Sequence, residues 1–472
     1  MFLYNTLSEK KEKLEKTSGK NLKLFVCGPT VYDDAHIGHG RAYITFDAFV
    51  KFLKSEKWKI FYLQNITDID DKIINRARAE KINPLKLAKK FENSYCADMK
   101  KLSVSSVIKY ARASAFIPQI VKQTQVLIKK NYAYKIENQG WYFDINRVPD
   151  YGKLSKRTAV QAEDGVSRID DSIMKKNKGD FALWKFVPVP ENCSSKFTLS
   201  NGEPAWKTPL GYGRPGWHIE DTAISEHFFG SQYDIHGGGL DLKFPHHEAE
   251  IAQQESASGK KPFVKIWMHV GLVRIDNEKM SKSLGNFITI KKLLESVSPL
   301  VFRWWILSHH YRSPIIYTEK NISQALESLK TIKEFLTRLE FVAAKSRVKK
   351  ESPDITQIIS ASVKKIRENL FDDFNTPAAF ATIFSLIGEI NKSFWSLSSK
   401  DARAITVHVK SNLNNLGLSL KTIPPPKKII KMAGKRDLLR ANQQFIHADA
   451  LRKDIEGLGY KSEDTPLGTL IY

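Results

Sequence analysis

Residues 22–67 leave the chain little choice of architecture. LKLFV (22–26) is a short apolar run that ends in CGPT, and KIFYLQNIT (59–67) is a second strand-like run. Between them Phe46, Phe49, Val50 and Leu53 recur at the i, i+3, i+4, i+7 spacing of one helix face. Strand, turn, helix, strand is a βαβ unit, and such a crossover joins parallel strands. An α/β fold built on a doubly wound parallel sheet is therefore predicted. Its ligand site should lie at the carboxyl end of the first strand, where CGPT and HIGH sit.

A second region of the same character follows. QYDIHGGGLDL reads as a strand running into a glycine turn, and FPHHEAEIAQQES as the helix after it. FVKIWMHVGLVRI reads as a strand that ends at the lysine-rich loop DNEKMSKSLGN. The polar, irregular stretch 116–200 reads as an insertion, so the sheet domain would occupy 1–115 and 201–295. Over 296–423 the pattern is helical, and PPPKK opens a short module over 424–472. Asn375 and Pro377 in DDFNTP are expected to shape a turn.

At 472 residues the chain has ample material for several domains. The formal net charge of +23 suits a polyanionic partner such as RNA or DNA. Lysines spread evenly over surfaces such as KSEKWK would give the same total. Cys27, Cys96 and Cys193 are too scattered for a disulfide framework and fit a reducing compartment. MFLYNTLSEKKEKLEK turns charged too soon for a signal peptide, and no apolar run approaches the ~20 residues of a membrane span. A cytoplasmic, soluble protein is expected.

Two short motifs carry chemistry. His36-Ile37-Gly38-His39 stands at the mouth of the first helix, where unpaired N–H groups and the positive dipole end attract phosphate. Imidazoles there can donate to phosphoryl oxygens as charge develops, and Gly38 lets a base or ribose approach the backbone. Lys279 and Lys282 in KMSKS can close over leaving phosphates as mobile point charges. Alone, the first motif is explained by capping and the second by a solvated loop. His246 and Glu250 form an i, i+4 pair on one helix face, a spacing that suits a metal or an ordinary surface contact.

Together, and in this order, HIGH and KMSKS resemble the signature of class I aminoacyl-tRNA synthetases; a related nucleotidyltransferase is the alternative on these two motifs alone. CGPTVYDDAHIGHGR, NITDIDDKII, GYGRPGWHIE, DIHGGGLDLKFPHHEAEIAQ, EKMSKSLGNF, HYRSPI and DDFNTPAAFA narrow the resemblance to the cysteinyl-tRNA synthetase family. ADALRKDIEGLGYKSEDTPLGTLIY resembles that family's tail, with Tyr472 where the family often has Trp. The resemblance covers nearly the whole chain.

It implies a class I Rossmann-like catalytic domain with an insertion, a helical domain that supports tRNA, and a small anticodon-binding module. It also implies two steps: cysteine and ATP give cysteinyl-adenylate and pyrophosphate, then cysteine passes to the terminal adenosine of tRNA(Cys). His36 and His39 would stabilise the α-phosphate transition state, and Lys279 and Lys282 would draw off pyrophosphate. Gly237, Gly238 and Gly239 would let adenine lie against backbone, and Asp241 would accept from the ribose hydroxyls; a plain glycine turn and a capping Asp are the alternative. Gly28 and Thr67 would contact the polar end of the amino acid, and Trp217 and His218 would line its pocket, unless Trp217 is simply packed in the core. The implied partners are tRNA(Cys), L-cysteine and ATP with Mg2+, acting on a monomeric chain away from any membrane.

The family also holds a zinc ion that binds the substrate thiolate. The positions matching its ligands are Cys27, Asp221, His246 and Glu250, and the chain departs from the family pattern by having Asp221 in place of a cysteine. Asp is an accepted zinc ligand, with a bond of about 2.0–2.2 Å against about 2.3 Å for sulfur. Zinc retained through Asp221 is expected; a metal-free pocket with poor discrimination is the competing outcome, and nothing in the spacing of Cys193 recommends it as a replacement. Two other function classes fit the motifs less well. A ligase that gives cysteine to a small amine-bearing sugar would lack the long tail after KMSKS, and a non-catalytic RNA-binding paralogue would have lost HIGH or KMSKS.

Overall fold

The computed structural model describes residues 1–16, 19–157, 174–189, 192–200, 202–275, 278–279, 287–348 and 352–472. They form two compact units, Met1–Pro299 with Tyr311–Thr318, and Leu300–His310 with Glu319–Tyr472.

The first unit is organised by five strands: β1 (Leu22–Val26), β2 (Ile60–Ile66), β3 (Lys109–Arg112), β4 (Tyr233–Gly239) and β5 (Val264–Val270). They pair in the order β5-β4-β1-β2-β3, and every pairing is parallel. The chain builds outward from β1 to β3, then returns to the other side of β1 to add β4 and β5. The order therefore reverses between β1 and β4, and the crevice at their carboxyl ends is where such sheets bind ligands. Helix α1 (Ile37–Ser55) makes the first crossover. Helix α2 (Ile117–Lys129) packs through Ile117, Ile120 and Val121 against α3 (Trp217–Phe229) and α4 (Glu248–Ser258), and these two pack with the sheet around Phe25, Leu63, Ile224, Ile251 and Trp267.

Among its described residues the inserted region is not irregular. Six short strands, Ala133–Ile136, Gly140–Phe143, Phe181–Phe186, Phe197–Ser200, Glu203–Thr208 and Gly211–Pro215, form an antiparallel sheet. Composition misled here because the strands are only four to six residues long, and polar residues outweigh their short apolar runs. Phe143, Phe181, Leu183 and Trp184 join a core with Ile120 and Ile219, and Ile136, Tyr142 and Ala182 form a smaller cluster. The sheet continues to Pro215, past residue 200.

One buried cation ties the first motif to the start of the second. Arg41, on α1, donates to the carbonyl oxygens of Leu272 at 2.6 Å, Tyr311 at 3.2 Å and Ser313. Leu272 precedes the strand Val273–Ile275, which pairs with Glu278–Lys279 on one side and Ile315–Tyr317 on the other.

The second unit is helical. Its long helices are Glu319–Lys345, Pro353–Phe371, Thr376–Asn391 and Ser399–Asn414, with Trp304 stacked on Phe380 at 4.2 Å. Asn375 caps the third, accepting from the Ala378 N–H at 3.1 Å, and Pro377 occupies its first turn, so DDFNTP shapes a helix start. Helices Lys427–Ala441 and Phe445–Gly457 and the hairpin of Ser462–Thr465 with Gly468–Ile471 share a small core of Ile429, Ala433, Ile455 and Ile471. Among the described residues no helix is long and apolar enough to cross a membrane.

Replacing Arg41 with Met should remove these charge-assisted hydrogen bonds, while the Leu272 and Tyr311 carbonyls keep the backbone N–H groups of Ile315 and Gly271, and lower stability by about 2–3 kcal/mol. Urea unfolding followed by tryptophan fluorescence measures the change, and Arg41→Lys should recover part of it.

Candidate active site and metal centre

A cleft of about 500 Å3 opens at the switch point. One end is lined by His36, Gly38, His39, Gly239 and Asp241, the other by Cys27, Gly28, Thr67, Trp217, Asp221 and His246.

At the first end the two imidazoles close a reciprocal cap on α1. His36 Nδ1 accepts from the N–H groups of Gly38 (3.1 Å) and His39 (3.3 Å), and His39 Nδ1 accepts from the His36 N–H (3.3 Å). Backbone N–H groups only donate, so each Nδ1 must be unprotonated, and each neutral ring carries its proton on Nε2. Capping and phosphate binding are thus not alternatives, because the cap selects the tautomer that leaves a donor. Burial pushes His36 down to about 4, and burial together with His36 pushes His39 well below the usual histidine range. The rings stack at 3.8 Å, with Phe287 edge-on to His36.

The chain on the far side of the lysine loop is also anchored here. Ile37 N–H donates to the Ile288 carbonyl at 3.1 Å, and Ile290 N–H to the Ala35 carbonyl at 2.8 Å. With Arg41 on Leu272, the HIGH helix holds the segments before and after that loop. Lys279 lies by its backbone in the strand pairing Arg274, and Lys282 falls outside the described residues.

At the other end, four donors from three elements converge. His246 Nε2 lies 3.1 Å from Asp221 Oδ2 and 2.8 Å from Glu250 Oε1, and Cys27 Sγ lies 3.8 Å from Glu250 Oε1. Cys27 follows β1, Asp221 is in α3, and Glu250 opens α4. Trp217 stacks on His246 at 4.3 Å with an interplanar angle of 13° and holds its ring. Burial, then Glu250 and Asp221, push the Cys27 thiol well up. Burial opposes charge on His246, but Glu250 and Asp221 hold it up at about 9. Burial raises Glu250 to about 7 against the pull of His246. A thiol and two carboxyl groups with one imidazolium among them form an anionic nest that a dication would neutralise, and Glu250 Oε2 has no hydrogen-bond partner among the described residues. The donor chemistry therefore fits zinc.

Asn65 carries a role that the sequence reading missed. Its Oδ1 accepts from the Gly28 N–H at 2.5 Å, and its Nδ2 donates to Asp221 Oδ1 and to Thr67 Oγ1 at 3.3 Å. Gly28 has no room for a side chain, since a Cβ would lie 1.7 Å from the Asn65 carbonyl oxygen. His218 does not line the cleft; its Nδ1 sits 2.8 Å from His246 Nδ1, behind the metal-facing edge. Phe46 fills the space beside Gly237, and His247 with Leu242 the space beside Gly238, so internal packing already requires both glycines. Tyr32 and Lys72 also line the cleft. His236 and His247 lie beneath Cys27, each Nε2 3.1 Å from its Sγ. In sequence they stand in DIHGGG and PHHE, beside the glycine run and within the His246–Glu250 spacing.

Comparison with known proteins shows which family the chain belongs to. Residues 13–327 match the family described as tRNA synthetases class I (C) catalytic domain, and 365–421 match the DALR domain. The chain is 40% identical to a Cysteine--tRNA ligase of Thermoplasma volcanium over 465 residues, covering 98% of each chain. It is 39% identical to one of Coxiella burnetii, covering 99% of each, and 38% identical to one of Caldicellulosiruptor saccharolyticus, covering 100% of this chain and 99% of the other. Among solved structures, Mycobacterium tuberculosis methionyl-tRNA synthetase bound by methionyl-adenylate superposes with a TM-score of 0.62 at 12% identity, over 84% of this chain and 92% of the other. That likeness concerns the fold.

The buried histidines make an acid-stability prediction. His36, His39 and His269 stay neutral when folded, with His36 near 4 and His269 near 3, whereas in the unfolded chain they take protons below about 6.5. The unfolded state therefore binds more protons in that window. Their stabilisation is present above about pH 6.5 and is lost as pH falls toward 4. Thermal melts should shift down between neutral pH and pH about 5. The shift should be smaller in His36→Asn, which keeps a capping acceptor but does not titrate.

Proposed function

Because the chain belongs to the cysteine–tRNA ligase family of class I tRNA synthetases, we propose that its cleft selects cysteine at the Cys27 end and handles ATP at the HIGH end. The enzyme is an aminoacyl-tRNA ligase. It activates L-cysteine with ATP and passes the cysteinyl group to the 3′-terminal adenosine of tRNA(Cys).

In the first step a carboxylate oxygen of cysteine attacks the α-phosphorus, and the bond to the β-phosphoryl oxygen breaks. His36 and His39 donate from Nε2 to the α-phosphoryl oxygens as negative charge gathers there. Lys279 and Lys282 neutralise the departing pyrophosphate, with Mg2+ accompanying the nucleotide. Gly38 and the backbone of Gly239, which line the cleft, accept the flat base and ribose, and Asp241 accepts from the ribose hydroxyls; Gly237 and Gly238, packed against Phe46, Leu242 and His247, carry the strand that positions them. Gly28 and Thr67 hold the polar end of cysteine, while Trp217, with His218 behind it, shapes the pocket around His246. In the second step the adenosine hydroxyl attacks the carbonyl carbon and AMP leaves. Residues 424–472 read the anticodon, and the protein works as a cytoplasmic monomer.

Selection rests on zinc held by Cys27, Asp221, His246 and Glu250. When bound it supplies a soft Lewis acid that prefers the cysteine thiolate to the hydroxyl of serine. Shape alone separates analogues this close by only about 1–3 kcal/mol, or about 10–200-fold. The observation that carries this reading is the convergence of those four side chains on the cleft floor. Asp221 keeps one oxygen on Asn65 and turns the other toward His246, so it can serve with a single oxygen in place of a thiolate.

Purified protein is expected to hold one zinc per chain and to support ATP–pyrophosphate exchange with cysteine far better than with serine. Absence of stoichiometric zinc, with serine activated comparably, would overturn the zinc assignment. His39→Ala should lower the exchange rate by about 10²–10³-fold with little change in KM for cysteine.

A further inference from the structure

The metal-ligating side chains beneath the cleft fall into two sets that share an edge. One is Cys27, Asp221, His246 and Glu250, and the other is Cys27, His236, His247 and Glu250; within each set the donor atoms lie within 4.8 Å of one another. In the second set Cys27 Sγ is 3.1 Å from both His236 Nε2 and His247 Nε2, and His236 Nε2 is 3.4 Å from Glu250 Oε2. Glu250 thus offers Oε1 to one set and Oε2, which has no hydrogen-bond partner among the described residues, to the other.

Each inner imidazole is also held from behind, as metal-binding histidines are. Tyr233 OH lies 2.6 Å from His236 Nδ1. His247 Nδ1 lies 2.8 Å from His269 Nε2, whose Nδ1 is 2.9 Å from Thr6 Oγ1. His236, His247 and Glu250 are fully buried and do not line the cleft, whereas Asp221 and His246 do. The inner set is therefore closed to substrate and the outer set open, the division that separates structural from catalytic zinc sites. As ligands, Cys27, Asp221 and Glu250 leave a dication with a net negative charge, while Cys27, Glu250 and two neutral imidazoles balance it. Burial favours the balanced set.

We propose that Cys27, His236, His247 and Glu250 form a second, inner seat for the same zinc ion. The ion rests there without substrate and moves to the outer seat when the cysteine thiolate supplies a further ligand. This rests on the zinc reading above and adds a place where the ion is retained when the outer ligands fail.

The test is zinc content of full-length protein after dialysis against a chelator, with X-ray absorption at the zinc edge. The double variant Asp221→Asn, His246→Gln should keep close to one zinc per chain while losing cysteine-dependent exchange, whereas Cys27→Ser should lose the metal. In the unaltered enzyme, zinc should show two imidazole ligands without cysteine and one with it, a readout that depends on no variant folding. A single imidazole in both states, or loss of zinc from the double variant as complete as from Cys27→Ser while His236→Gln, His247→Gln keeps it, overturns the inner seat alone. Unaltered protein that binds no zinc overturns the metal reading and the inner seat with it.

Discussion

The Cys27 N–H donates to the Gly237 carbonyl at 3.0 Å, and the site is organised around that bond. It joins the ends of two parallel strands that are far apart in sequence and adjacent in space only because the strand order reverses between them. The thiol hangs from one strand end, and the glycine run that leads to Asp241 and His246 continues from the other. Parallel pairing of Leu24 with Ile235 and Val26 with Gly237 sets the register. A slip by one residue would turn Cys27 to the opposite face of the sheet.

The two ends of the cleft use histidine in opposite ways. At HIGH, burial keeps the rings neutral, and the backbone of α1 consumes one nitrogen of each, so what remains is an oriented, uncharged donor. At the floor, carboxylates surround His246 and hold it protonated. Both states follow from burial together with the identity of the nearest partner. Between these ends, α1 acts as the common brace, since Arg41 and the 35–37 backbone grip the chain on either side of the KMSKS loop.

Much of the sheet was legible because a parallel strand buried on both faces is rich in apolar residues, and the runs LKLFV and IFYL supply them. The crossover helix was legible through the spacing of Phe46, Phe49, Val50 and Leu53. The inserted sheet escaped because its strands are four to six residues long and interrupted by polar turns. In the site, spacing brought His246 and Glu250 together, since i and i+4 lie on one helix face. No local rule could bring His236 under Cys27, because that contact spans 209 positions and exists only through strand pairing. The glycine run had a visible signal with two physical causes, and packing against Phe46 and His247 accounts for two of its three members. Asn65 was silent because two of its three partners, Gly28 and Asp221, lie in segments joined to it only by the fold.

That asparagine links two tasks that could have been separate. One side chain grips Gly28 and Thr67, which follow two different strands, and also holds Asp221. Any exchange at position 221 that alters the length or charge of the side chain must be felt through Asn65 at Gly28 and Thr67. The carboxylate at the cleft floor and the two strand ends beside it are consequently inherited together, and a chain that retunes one must renegotiate the other.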